Sequence, residues 1–135
     1  MSVPANIDLT IQKGEDYVSQ FYWLDSSDNP FPVVTPAYMM VKPSIGSGTT
    51  TLKLKTTGTL SGWIDTGIQV SGTTGFIQIT LTAAQTLALT AGSYVYDLFV
   101  SYSYLNANGT INSTKITKVV QGKFIVNDSV TVVPV

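Results

Sequence analysis

AGSYVYDLFVSY, residues 91–102, is the longest apolar run of the chain, and it carries a carboxylate, Asp97, in its middle. Side chains alternate between the two faces of a strand. Tyr94, Tyr96, Leu98 and Val100 therefore share one face, and Val95, Asp97 and Phe99 share the other. The first face is suited to a core. The second is semi-apolar, so Asp97 lies off the core in a central strand and is expected to find a cross-strand lysine, with Lys42 and Lys123 on the strands expected beside it. Such a pair fixes register more than it adds stability. Asp97 reads as a structural residue and not as an active-site acid.

The same period-2 texture extends outward in both directions. Ile7, Leu9 and Ile11 alternate with polar residues up to Gly14, and residues 17–24 form a second run closed by DSSDNP. Residues 37–42 place Ala37, Met39 and Val41 on one face. In residues 50–55, Leu52 and Leu54 face in while Lys53 and Lys55 face out. A looser Gly/Ser/Thr-rich stretch, 56–74, holds Trp63, Ile64, Ile68 and Val70, and residues 76–81 alternate again. LTAAQTLALTAG (81–92) changes period. Thr82 followed by Gln85 is a capping-box pattern and Gly92 is a stop, which predicts one short helix over about 83–89. Asn108-Gly109 is a hairpin signal leading into a last strand over about 111–126, in which Gly122 marks a bulge or a close backbone approach. Seven or eight short strands with turn signals between them predict a single all-β sandwich domain over residues 1–135.

Composition narrows the chemistry. There is no cysteine and no histidine, all seven basic residues are lysine, and the acids are seven Asp and Glu15. A disulfide framework, a thiolate or imidazole metal site and a bidentate arginine grip on phosphate are thereby excluded. A net charge of −1 gives no field to attract nucleic acid or an anionic membrane. No apolar segment approaches the ~20 residues of a membrane span, and the N-terminus lacks the pattern of a signal peptide, so folding in a cytoplasm is the expectation. Sequons at 108–110, 112–114 and 127–129 are the chance product of a chain rich in Asn, Ser and Thr.

Gly92-Ser93-Tyr94-Val95-Tyr96 resembles the start of the sixth strand in immunoglobulin-like sandwiches. There, a tyrosine at a corner precedes the second disulfide cysteine by two positions. Tyr94 takes the corner position, and Tyr96 stands where antibody domains have cysteine. Over about residues 6–131 the chain also resembles small immunoglobulin-like proteins encoded among the tail and baseplate genes of tailed bacteriophages, including the immunoglobulin-like domain of the baseplate upper protein. IDLTIQKGEDY, WLDSSDNP, AYMMVK, TGFIQITLTAAQTLAL, AGSYVYDLFVS and KVVQGKFIVNDSVT carry the resemblance in that order. It implies an immunoglobulin-like fold and a non-enzymatic structural role in a virion, with other virion proteins as partners, and no active site is implied with it.

The remaining candidates divide between chemistry and architecture. Asp25 and Asp28 in DSSDNP are possible calcium ligands, but their spacing misses the EF-hand pattern and their residue types suit a tight turn. Glu15 and Asp16 beside Gly14 read as a solvated turn. Of the aromatics, Trp63 lies in a polar stretch and is the candidate for stacking on a host glycan, while Trp23, Tyr22, Tyr38, Tyr102 and Tyr104 read as core or interface. Val130, Val132, Val133 and Val135 form an extended apolar C-terminal arm, 129–135, that either completes this domain's sheet or adds a strand to a neighbour. Charged residues make up only 11% of the chain, against 32 Ser and Thr, which suits contacts with like neighbours in a homo-oligomeric assembly. The expected function is that of a tail or baseplate component of a phage particle. A capsid-decorating protein is the next reading, and a host-glycan-binding module is the alternative of another class. No cofactor, metal, nucleic acid or membrane is expected.

Overall fold

The last described strand organises the first sheet, because it pairs on both sides. The computed structural model describes residues 5–24, 27–28, 33–71, 74–105 and 111–129, excluding the side chains of 103–105 and 111–114. In chain order the strands are β1 (Ala5–Asn6), β2 (Leu9–Gln12), β3 (Tyr17–Tyr22), β4 (Val33–Lys42), β5 (Leu52–Lys55), β6 (Ile68–Ser71), β7 (Phe76–Leu81), β8 (Gly92–Leu105) and β9 (Ile111–Asn127), with helix α1 (Ala83–Leu87) between β7 and β8. β9 pairs antiparallel with β8 and parallel with β1 and β2. The first sheet runs β1/β2–β9–β8–β4–β5, and the second β3–β7–β6.

Two facing sheets in this order, with α1 crossing between them, form an immunoglobulin-like β-sandwich. Among the described residues there are nine strands against the seven or eight expected, because the two-residue β1 precedes the run read from Ile7 and the loose 56–74 stretch contains β6. The N-terminal strand sits beside β9 and not beside β3, which leaves β3 at the edge of a three-stranded sheet.

The alternation read from sequence is the alternation of burial. Ile77, Ile79 and Leu81 from β7 meet Met39 and Val41 from β4, Leu98 and Val100 from β8, and Phe124 from β9, all essentially without solvent contact. Apolar burial of this kind is the main stabilising contribution to a domain of this size. Val119 and Val120 are consecutive yet both buried. A register shift explains them: Leu98 pairs with Val120 and Phe99 with Lys118, so Val119 is the extra residue of a β-bulge. A second shift falls in β4 between Val34 and Ala37, where the Thr35–Pro36 peptide is cis. There, the Ser101 hydroxyl donates to the Pro36 carbonyl (2.7 Å). The buried Thr56 closes the gap by accepting from the Ala37 N–H and donating its own N–H to the Ala37 carbonyl (3.3 Å each). These bonds satisfy backbone groups that the bulge takes out of the ladder.

Helix α1 ends at Leu87, capped by Ala88, two residues short of the expected 89. Its start follows the sequence signal. The Gln85 N–H donates to the Thr82 hydroxyl (3.2 Å), and the Thr82 N–H donates to the Gln85 side chain (2.9 Å). Asp16 and Thr86 dock the helix on the 13–16 turn. The Ala83 N–H donates to the Asp16 carboxylate (2.8 Å), and the buried Thr86 hydroxyl accepts from the Gly14 N–H (3.0 Å) while donating to the Glu15 carbonyl (2.8 Å). Asp16 is thus a helix anchor, where the sequence suggested only a solvated turn.

Candidate interaction face

β8 sets the site, because its two faces have separate tasks. On the inner side, the Tyr94 hydroxyl donates to the Thr90 carbonyl at 2.6 Å, four residues upstream, which is the bond of a tyrosine corner. Gly92 lies under the Tyr94 ring, 3.8 Å from where its own Cβ would stand. Tyr96, in the position of the absent cysteine, is buried against Phe124 (ring centroids 6.5 Å), and its hydroxyl donates to the Ile7 carbonyl at 2.6 Å. Burial, with Tyr17 and Asp8 nearby, holds the Tyr96 phenol well above its ordinary value.

Gly122 pairs directly with Tyr96. A Cβ on Gly122 would overlap the Ile7 carbonyl oxygen and lie 2.8 Å from its carbon. The glycine therefore marks a close backbone approach, and the bulge that the sequence offered as the other possibility is instead at Val119. The Asp8 carboxylate closes the same crossing by accepting from the Lys123 N–H (3.0 Å).

On the outer side, Val95, Asp97 and Phe99 form the floor of a concavity of about 520 Å³, flanked by Met40 and Lys42 from β4 and by Lys118 and Gln121 from β9. The 44–46 loop forms one rim, with Ile45 91% exposed. Asp97 pairs with Lys118 at 3.6 Å, not with Lys42 or Lys123 as the sequence suggested. Both of those lysines have positions paired with Val95, two residues away. The bulge at Val119 brings Lys118 opposite Phe99, where its ammonium lies 5.8 Å over the ring and reaches Asp97 along the strand. Lys118 also donates to Gln121 (3.4 Å), and Gln121 to Asn6 (3.3 Å), so a polar chain crosses three strands. The pair is more than a third solvent-exposed, and exposed pairs contribute about 0.2–1 kcal/mol. The arrangement offers apolar contact area with one positioned ion pair. Among the described residues, no three acidic side chains gather as a metal site would require.

Trp63 does not line this concavity but lies beside it, on Tyr38 and Lys53, whose positions pair with Phe99 and Met40. It is half-buried, edge-on to Tyr38 (5.5 Å), with the Lys53 ammonium 5.6 Å over its ring. The loop that carries it is held by Asp65, which accepts from the Thr66 hydroxyl (2.8 Å) and the Gly58 N–H (2.9 Å); these two bonds, in that order, lower its carboxyl pKa. The adjacent Ile64 bonds β5 on both sides of Leu54 and so covers that edge of the sheet. Trp23 meets Tyr102 edge-to-face (5.8 Å), and Tyr22 packs on Phe76 (5.4 Å) while 62% exposed. Asp28 occupies a left-handed turn conformation (φ 62°), as turn chemistry favours for Asp. Asp25, the Asn108-Gly109 turn, the Tyr104 side chain and the arm residues Val130, Val132, Val133 and Val135 lie outside the described residues.

No protein-family model and no curated protein matches the chain. Among solved structures it is similar to the extracellular domain of the voltage-gated sodium channel β4 subunit, whose parallel homodimers were described in relation to cell–cell adhesion. The TM-score is 0.41 at 12% identity, covering 96% of this chain and 98% of that one.

Proposed function

We propose that this chain is a non-enzymatic structural component of a tailed bacteriophage particle, a tail or baseplate protein that works by contact with other virion proteins. The observation that carries the reading is the outer face of the first sheet. Its floor combines Met40, Val95 and Phe99 with the Asp97–Lys118 pair, beside an almost fully exposed Ile45. Apolar contact area around a positioned ion pair, next to an exposed isoleucine, is surface that a protein partner can cover. The resemblance of the motif order to tail and baseplate immunoglobulin-like proteins supports the choice of particle, and the low charge fits a crowded assembly.

Competition during particle assembly tests this reading. Excess wild-type chain enters particles in place of the endogenous copy, whereas Ile45→Asp combined with Phe99→Ser yields a folded protein that does not enter. Entry of the double variant at the wild-type level would remove the face from the account. The copy number per purified particle separates a tail location from decoration of the head lattice.

A further inference from the structure

We infer that β3 is a self-association edge: two copies of this chain pair their β3 strands antiparallel about a two-fold axis at Gln20, fusing two three-stranded sheets into one of six. This contact is separate from the face on the first sheet and does not depend on where the chain works.

Backbone accounting along β3 gives the first argument. Its registered partner is β7, with Tyr17 opposite Leu81 and Tyr22 opposite Phe76. The Trp23 N–H donates to the Gly75 carbonyl in the same register (2.8 Å). Phe21, Ser19 and Tyr17 therefore also turn their backbone groups toward β7, because hydrogen-bonded and non-bonded pairs alternate. Val18, Gln20 and Tyr22 turn theirs to the open edge, where no described residue pairs with them. Natural edges are blunted by charge, proline, brevity or a covering segment. β5 is covered by Ile64, and the β1/β2 edge is broken at Ile7-Asp8. β3 has six residues, YVSQFY, with neither charge nor proline.

The second argument is self-complementarity. An antiparallel pair that places Gln20 opposite its own copy also places Val18 opposite Tyr22, so all three open residues are bonded at once. Shifting the axis to Ser19 leaves Tyr22 opposite Asp16, whose carboxylate is already engaged by the α1 N-terminus. On the outer face of the sheet, Gln20 donates to Gln78 (3.0 Å) and Gln78 to Gln69 (3.3 Å), a directional amide ladder. Each Gln20 amide spends one N–H on Gln78 and keeps its second N–H and its carbonyl oxygen, so at the axis each copy donates that second N–H to the other's oxygen and the two ladders meet head to head as a reciprocal amide pair. The exposed Val18 (55%) and Tyr22 (62%) cover each other on either side.

The 135 residues contain no cysteine, so Gln20→Cys supplies a single thiol at the axis. Analytical ultracentrifugation is expected to show a concentration-dependent dimer. A short bismaleimide is expected to crosslink Gln20→Cys efficiently but not Gln69→Cys, which would stand about 24 Å from its copy across five strand spacings. Gln20→Lys, which sets like charges opposite each other, is expected to weaken the dimer at least tenfold, with a melting temperature close to wild type at concentrations where both are monomeric. Gln20→Pro removes an edge N–H that bonds to no described residue, and serves as the second disrupting variant. A monomer at every concentration, or a dimer indifferent to Gln20→Lys, overturns the inference. Amides of Val18, Gln20 and Tyr22 protected from exchange in a monomer also overturn it, and assign the edge to the chain's own residues 130–135.

Discussion

The Tyr96 hydroxyl reaches the Ile7 carbonyl at 2.6 Å over the bare backbone of Gly122. In a domain without cysteine, this bond ties the N-terminal strand to the centre of the first sheet, at the position where disulfide-bonded relatives of the fold place a sulfur. Tyr96→Phe keeps the packing on Phe124 and loses the bond. The expected cost is about 1–2 kcal/mol, since the Ile7 carbonyl loses a partner in a partly buried place. Urea unfolding with an unchanged m-value checks it.

The same residue gives a pH signature. Burial raises the Tyr96 phenol above its unfolded value near 10, and Tyr17 is shifted the same way. The unfolded chain then releases protons that the folded chain keeps. The resulting stability is complete below pH 10 and is lost as pH rises toward the folded value. Wild type is expected to lose stability faster than Tyr96→Phe above pH 10, and parallel profiles would contradict the assignment.

Gly122→Ala tests the close approach itself. The added methyl meets backbone and not a flexible side-chain tip, so relief requires β1 and β2 to move off β9. A loss of about 1–3 kcal/mol is expected, the range of overpacked cores, with amide exchange accelerated first in residues 5–12.

Much of this was legible beforehand. The alternation in SYVYDLFV separated core from solvent face, and Thr82 with Gln85 marked the helix start, because both are local signals in a fixed period. The partner of Asp97 was not legible. It depends on a bulge at Val119 that no residue type announces, the only hint being two adjacent valines that both need burial. Thr86 was missed because a threonine inside a helix gives no sign of the turn 71 residues away that it bonds. The three-stranded second sheet was also hidden, since the sequence does not state which neighbour the N-terminal strand will choose.

Thr86→Val is nearly isosteric and removes both long-range bonds of the hydroxyl, leaving the Gly14 N–H and the Glu15 carbonyl unpaired. The expected cost is about 2–3 kcal/mol, read as a lowered melting temperature with α1 and the 13–16 turn exchanging together.

Asp97→Asn is expected to cost no more than about 1 kcal/mol, because the pair with Lys118 is solvent-screened. Lys118→Met, which keeps the stem over Phe99, should cost no more. On the proposed virion role, any larger loss should appear in particle assembly and not in the melting temperature.

Imaging of the intact particle tests the central claim most directly. The account predicts immunoglobulin-like density for this chain within the tail or baseplate, with the Asp97–Phe99 floor and Ile45 packed against a neighbouring virion protein. Purified particles that lack the chain, or that carry it with this face open to solvent, would contradict it.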